Sequence, residues 1–350
     1  MLKEFKTPIS GKSVFIGPDS KEDIIILAIE SSCDETACAI VKNGREVLSN
    51  IVASQIKTHQ QFGGVVPEVA AREHLESINL VIAQAFEQSG LTPDDITAVA
   101  STVGPGLVGS LLVGLNAAKA LAVTYDKPFI GVNHLNAHVC ANYIDTDLEP
   151  PMIALLVSGG HTQIIKVDSY LNQEIIGETI DDATGEAYDK VARLLGLPYP
   201  GGLNLDRMAP DGNPKAYHLP KAKVPGEYDF SFSGLKTAVL NLTRKLEKEL
   251  GEIPKADVAA SFQECITSTL FEKTIRAAEN YGIKQIALGG GVAANSEIRK
   301  KFFALREIGY KVYAPAMKYC TDNASMIASS AYFLANTMDS LDIEVFSRCY

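Results

Sequence analysis

The sequence predicts an α/β protein assembled from two copies of one strand, turn and helix unit. Three observations carry that expectation. Apolar strands alternate with helical stretches along most of the chain. The order then starts again: MIALLV runs into SGGHT and out into QIIKVDS, as ILAIE runs into SSCDET and out into ACAIV, and IKQIALGGGVAANSEIRKKF repeats the strand, glycine turn and helix of ITAVASTVGPGLVGSLLVGL. Finally, 350 residues exceed one ordinary core, and a prior of ~150 residues per domain gives two. Against duplication stands the fact that any α/β chain repeats such units.

The elements follow in order. Met1 to Lys21 contain no apolar core of a signal peptide, no arginine, and the acids Glu4 and Asp19, so residues 1–22 are expected to be a loose extension without a targeting role. IIILAIESS, ACAIVKNG and REVLSNIVAS read as strands, the last two joined in a hairpin at Asn43-Gly44. VPEVAAREHLESINLVIAQAFEQSG places Val69, Leu75, Ile78, Val81, Ile82 and Phe86 at helical spacing, with Pro67 in its first turn and Gly90 after its last. Strand ITAVAST, turn VGPGLVG, helix SLLVGLNAAKALAV and strand PFIGVNH complete a first lobe over 23–133. A second lobe is expected over 134–335, enlarged by an insertion at about 196–250, with a tail at 336–350.

Composition narrows the function. With 46% apolar and 21% charged residues, 27 glycines and 16 prolines, the chain is neither disordered, collagenous nor coiled coil. A net charge of −10 argues against coating nucleic acid or anionic membrane by bulk charge, while leaving room for a local basic groove. Six scattered cysteines without a CxxC pair read as reduced thiols of a cytosolic protein. The apolar run Ile24 to Ile29 is far short of the ~20 residues that cross a bilayer.

The strongest chemical clue is HLNAH. His134 and His138 stand four apart on what should be a short helix, so both imidazoles share a face and can reach one ion. They follow strand FIGVN, at the carboxyl end where α/β proteins place ligands. Leu135 occupies the place of the HExxH glutamate, which disfavours a zincin-type protease. A third ligand should be a carboxylate, and Asp322 is the candidate; helix capping by Thr321, Asp322 or Asn323 is the competing role. Asp34 and Glu35 lie on a turn expected to face SGGHT across a cleft, with turn stabilisation as the alternative. Asp181, Asp182, Glu186 and Asp189 surround a helix start and are expected mostly to meet solvent.

Two glycine turns suit a nucleotide. LVSGGHT (Leu156 to Thr162) and LGGGVAANSEIR (Leu288 to Arg299) each follow an apolar strand, so bare backbone amides can approach phosphate or ribose. Neither has the GK[ST] of a P-loop nor GxGxxG spacing. In the insertion, Lys215 to Lys245 hold six basic residues against two acids, interleaved with Tyr217, Tyr228, Phe230 and Phe232. That pattern suits an RNA backbone with stacked bases, or simply a solvated basic face.

Taken in order, SSCDET, GGVVPEVAAREH, GPGLVGSLLVG, NHLNAH, LVSGGHTQ, DDATGEAYDK, YPGG, FSFSGLKTA, GGGVAANSEIR and CTDNASMIA, from about Ile24 to Ala335, closely resemble the bacterial TsaD family. The resemblance implies a duplicated actin-like ATPase (ASKHA, RNase H-like) fold with two lobes around a nucleotide cleft. It implies transfer of a threonylcarbamoyl group from threonylcarbamoyl-AMP to N6 of the adenosine beside the anticodon, in tRNAs reading ANN codons. His134, His138 and Asp322 match the family's metal ligands, with Fe2+ the expected ion and Zn2+ the second. Leu156, Val157, Ser158, Gly159 and Gly160 match the loop for the acyl-adenylate, and Asp189, Gly202, Asp206 and Asn295 match positions for its nucleoside. Asp34 and Glu35 become candidates for positioning or proton removal.

Two departures stand out: Leu156 replaces a tyrosine ligand of archaeal relatives, and Asp206 replaces a glutamate common in the family. The resemblance further implies a cytoplasmic enzyme working on tRNA with a TsaB-type paralogue docked on the long helices of the first half, a TsaE-type ATPase, and a TsaC-type synthase supplying the adenylate, with no membrane partner. A small-molecule kinase or ATPase of the same fold would not need the HLNAH pair, and a non-catalytic scaffold would tolerate its loss.

Overall fold

The computed structural model describes residues 2–333 and 340–347. Two compact units divide the chain: Met1–Glu149 with Pro315–Tyr350, and Pro150–Ala314.

The first unit opens with a hairpin of β1 (Lys3–Lys6) and β2 (Ser13–Ile16). This corrects the expected loose extension. Phe5 and Ile16 are fully buried, and the hairpin tip is tied down by the Ile9 and Ser10 amides donating to Asp126 Oδ1 at 2.9 and 3.2 Å. Strands β3 (Ile25–Glu30), β4 (Glu35–Lys42) and β5 (Glu46–Ser54) follow as antiparallel neighbours. Asn43 and Gly44, at φ of 52° and 67°, make the turn between the last two. A short α1 (Ile56–Gln60) leads to α2 (Pro67–Ser89), with Pro67 in its first turn and Gly90, at φ 69°, closing it. Strand β6 (Ala98–Gly104), helix α3 (Val108–Thr124), strand β7 (Phe129–Asn133) and helix α4 (His134–Cys140) complete this part. The sheet order is β5-β4-β3-β6-β7, with β3, β6 and β7 parallel.

The second unit repeats that order. Strands β8 (Met152–Val157), β9 (Thr162–Ser169) and β10 (Asn172–Glu178) are antiparallel neighbours. Helices α5 (Thr184–Leu194), α6 (Gly201–Met208), α7 (Ser233–Leu250) and α8 (Lys255–Asn280) come next, followed by β11 (Gln285–Gly289), α9 (Ser296–Ala304) and β12 (Lys311–Tyr313). The sheet runs β10-β9-β8-β11-β12, with β8, β11 and β12 parallel. Each strand of one five-stranded sheet therefore has a counterpart at the same place in the other.

Helix α10 (Ala324–Phe333) returns to the first unit. It is buried along its whole length, packing on β3, β4 and α4, and its Ala and Ser residues are small enough to permit that approach. Lobe boundaries at 133/134 and 335 are corrected accordingly. Arg45 donates to the carbonyls of Tyr143, Thr146 and Leu148 at 2.8–3.1 Å and its guanidinium lies 4.9 Å from the Phe333 ring, so residues 134–149 and α10 are held by the first sheet. Of the expected tail, Leu341, Ile343, Val345 and Phe346 pack on the first core; Asn336 to Asp339 and Arg348 to Tyr350 lie outside the described residues.

Cys33, Cys38, Cys140, Cys265 and Cys320 form no disulfide among the described residues; Cys349 lies outside them. Among the described residues no helix is long and apolar enough to cross a membrane.

Candidate active site

Local sequence places each group of the first unit. Asn133 ends β7 and caps α4, its Oδ1 accepting from the Leu135 and Asn136 amides, so the helix begins at His134 itself. The four-residue spacing then brings the His134 and His138 rings to a centroid separation of 4.6 Å, edge to face. On the other side, Asn323 Oδ1 accepts from the Met326 amide at 3.2 Å and takes the cap of α10. Asp322 is thereby free of capping. Its Oδ1 lies 3.5 Å from His134 Nε2 and 3.2 Å from His138 Nε2.

These three residues offer one ligand atom each within 4.8 Å of one another. Donors about 2.1 Å from a common tetrahedral ion stand about 3.4 Å apart, which the two Asp322 distances match. His138 is buried, and neither of its ring nitrogens has a hydrogen-bond partner among the described residues. Close approach to Asp322 without hydrogen-bonding geometry is the arrangement of two groups aimed at one point. Two imidazoles and a carboxylate suit Fe2+ or Zn2+, so the residues present fit a divalent cation.

A residue missed in the sequence completes the cluster. Glu30, wholly buried at the end of β3, accepts from the Ser32 amide and the Thr102 hydroxyl, and its Oε2 lies 3.2 Å from His134 Nδ1. A carboxylate only accepts, so Nδ1 carries a proton, which leaves Nε2 as the nitrogen available to a metal. The signal was a charged residue closing an otherwise apolar strand. Burial opposes charge on His134, but Asp322 and Glu30 outweigh it and lift the imidazole to about 9. Burial likewise opposes ionisation of Asp322, and the two histidines overcome it to hold the carboxyl at about 2.

The turn between β3 and β4 carries Asp34 and Glu35 beside this cluster. Burial, with Asp34 and Asp322 near by, pushes Glu35 up to about 10. The turn is braced from α2, whose buried His74 meets Thr36 Oγ1 at 2.7 Å and the Cys33 carbonyl at 3.0 Å. Nε2–H donates to the carbonyl, and burial, which lowers the pKa of the ring, favours the neutral form in which Nδ1 accepts from Thr36. From α3, the Ser110 carbonyl accepts from Ser31 Oγ, which itself accepts from the Gly114 amide.

In the second unit the residues expected to hold an adenylate separate into two kinds. Leu156 and Val157 are buried strand residues, while Ser158, Gly159 and Gly160 form the accessible turn. A Cβ on Gly159 or Gly160 would meet nothing within 4 Å. Gly290, at φ 85°, presses on the Val157 carbonyl, and the Gly185 amide of α5 donates to the Ser158 carbonyl at 3.1 Å, so the turn is fixed from two sides. Asp189 Oδ1 accepts from the Gly201 and Gly202 amides, and burial raises its pKa against those bonds. Asn295 Nδ2 donates to Asp206 Oδ1 at 2.9 Å and to Gln263 Oε1 at 3.0 Å, while its Oδ1 caps α9. Tyr188 and Gln263 join this network and were not read from the sequence.

Two expectations change here. Asp181 does not merely meet solvent: it accepts from the Ser231 and Ser233 hydroxyls and the Phe232 and Ser233 amides, pinning the insertion to the start of α5. Phe230 and Phe232 do not interleave with the basic residues as stacking platforms, since both are buried in the second core. Tyr217 and Tyr228 are half-buried against it.

Comparisons with known proteins agree with this architecture. The TsaD family profile, described as tRNA N6-adenosine threonylcarbamoyltransferase, matches residues 46–329. A Clostridium perfringens protein of that name is 56% identical over 88% of this chain and 92% of its own. One from Nostoc punctiforme is 56% identical over 87% and 90%, and one from Clostridium botulinum 53% over 92% and 96%. Among solved structures, HypF from T. kodakarensis superposes with a TM-score of 0.63 at 16% identity, covering 95% of this chain and 48% of that one. A full-length HypF gives 0.60 at 16% identity over 89% and 46%. At such identity the likeness shows fold alone, the duplicated α/β fold of the actin-like ATPases.

Proposed function

The chain belongs to the TsaD family of tRNA N6-adenosine threonylcarbamoyltransferases, and on that premise we propose that it uses threonylcarbamoyl-AMP as donor and the adenosine beside the anticodon of ANN-reading tRNAs as acceptor. The exocyclic N6 forms a bond to the carbamoyl carbon, the bond from that carbon to the phosphate oxygen breaks, N6 gives up a proton, and AMP leaves. An aromatic amine is a poor nucleophile, so the reaction needs an activated carbonyl and a stabilised leaving phosphate more than a protein nucleophile.

The observation that carries the reading is the convergence of His134, His138 and Asp322. They would hold a divalent cation, Fe2+ first and Zn2+ second, which supplies Lewis acidity towards the phosphate or carbonyl oxygen. Ser158, Gly159 and Gly160 would bind the acyl-phosphate through backbone amides, and Gly202, Asp189, Asp206 and Asn295 the nucleoside. Asp206, a shorter acid than the family's usual glutamate, already accepts from Ser296 and Asn295. Asp34 and Glu35 are assigned to positioning of the amine or removal of its proton, and Glu35, held protonated by burial, is the one suited to positioning.

Partners follow from the same reading. Exposed Leu75 and Leu80 on α2 and Val108, Leu112 and Val123 on α3 support docking of a TsaB-type paralogue there. A TsaE-type ATPase, a TsaC-type synthase and a cytoplasmic setting complete the proposal. The test is transfer to unmodified tRNA from supplied threonylcarbamoyl-AMP, with metal analysis of the same sample. His138→Ala should lose metal and transfer together; transfer at the normal rate by that variant would remove the proposal.

A further inference from the structure

The two histidines of the cluster are supported unequally. His138 has no hydrogen-bond partner at Nδ1 among the described residues, and behind the ring there is only packing, Asp322 lying on its Nε2 side. His134 has Glu30 behind it at 3.2 Å, with Ser32 Oγ 3.2 Å from the same nitrogen. Glu30 itself is locked from two further directions, by the Ser32 amide on one oxygen and the Thr102 hydroxyl on the other. Charge tells the same story. Glu30 and Asp322 are two acids in one cluster, and among the described residues their ion pairs are with His134 and His138 alone, no lysine or arginine pairing with either. Two buried carboxylates carry two negative charges into one cluster, and a single divalent ion balances both.

We infer that Glu30 is a positioning residue of the cation site: through His134 Nδ1 it fixes the tautomer and ring orientation, and its charge raises the affinity of the His134, His138 and Asp322 set for a divalent metal. The inference rests on the reading of that set as a metal site. Carboxylates placed behind a ligating imidazole change metal affinity by about 10- to 100-fold when removed. Glu30→Gln is the informative change, because an amide oxygen of the same shape still accepts from His134 while the negative charge is gone.

The experiment is Zn2+ binding to the full-length chain at one fixed pH, by competition with a chromophoric chelator, with thermal unfolding of each metal-free protein alongside. Glu30→Gln should weaken Zn2+ by about 10- to 100-fold. The visible spectrum of Co2+ bound at the same site should change in Glu30→Gln, because Glu30 acts through the His134 ligand, which a merely structural role would not produce. Thr102→Val, which removes one of the two partners of the Glu30 oxygen facing His134 without touching a ligand, should weaken binding less and in the same direction; it keeps the question answerable if Glu30→Gln does not fold. Unchanged affinity in folded Glu30→Gln or, failing that, in Thr102→Val overturns the inference and leaves the metal site standing. A Co2+ spectrum unchanged by Glu30→Gln also overturns it. Wild-type protein that binds no Zn2+ and no Fe2+ overturns both.

Discussion

The two units present the same five-stranded order and fill its first turn with opposite chemistry. Between β3 and β4 the turn is SSCDET, enclosed by α2 and α3 and set beside imidazoles and carboxylates. Between β8 and β9 it is SGGHT, open and bare, with two glycines whose missing side chains would touch nothing. In both units a glycine after the next parallel strand presses on the turn: Gly106 on the Ser32 carbonyl, Gly290 on the Val157 carbonyl. One scaffold therefore fixes a turn by close backbone contact and leaves its decoration free. The first copy concentrates charge where a cation would be held; the second exposes amides where an anion would be held.

Substitutions can break that contrast at different depths. The largest effect is expected from Asp322→Ala or His134→Ala, which should remove the metal and slow transfer by about three orders of magnitude. Adenylate affinity, measured on the same variants by equilibrium binding, should change far less; an equal collapse would contradict a division of labour between the units. Next comes Gly290→Val. At φ 85° and against the Val157 carbonyl, it should destabilise the second unit by about 2–3 kcal/mol in urea unfolding. Gly159→Ala, with open space around the new methyl, should leave stability within about 0.5 kcal/mol while weakening adenylate binding, because the methyl would stand on the turn proposed to hold the phosphate.

A smaller effect belongs to Asn295→Ala. It removes the cap of α9 and the donor to Asp206 and Gln263, costing about 1–2 kcal/mol and nucleoside affinity, read by AMP binding. The smallest is a pH effect. Burial works against ionised Asp181, yet the Ser231 and Ser233 hydroxyls and two amides hold its carboxyl at about 2 against 3.8 ordinarily. A depressed folded-state value means that the stabilisation is complete above 3.8 and fades as pH falls towards 2. The Tm advantage of wild type over Asp181→Asn should therefore be flat near neutrality and shrink across that acid window; a constant difference would deny the bonds to Ser231 and Ser233.

Much of this was written locally and so could be read. The hairpin at Asn43-Gly44 follows from two residues that tolerate positive φ, and the histidine pair from four-residue spacing on a helix. What escaped depends on contacts between distant segments. Helix α4 reads as the start of a second lobe until Arg45 and α10 are seen to hold it to the first. Whether Asp322 or Asn323 caps α10 is a competition that adjacent letters do not resolve, and Asn323 takes it. Glu30 passed as the last residue of a strand because its partners, Thr102 and His134, lie on β6 and α4. Phe230 and Phe232 were misassigned despite an available signal: alternate residues of an extended segment share a face, and that face meets the core. The hairpin of β1 and β2 was missed because its strands are short and its anchor, Asp126, is far along the chain.

The central claim is that transfer depends on a cation held by His134, His138 and Asp322. The direct measurement is the rate of threonylcarbamoyl transfer from threonylcarbamoyl-AMP to unmodified tRNA, by the chain with its partners, after chelation and again during titration with Fe2+. The account predicts loss of transfer on chelation and recovery that saturates at one ion per chain, with no recovery in His138→Ala. Transfer at the full rate by protein shown to be metal-free would contradict it.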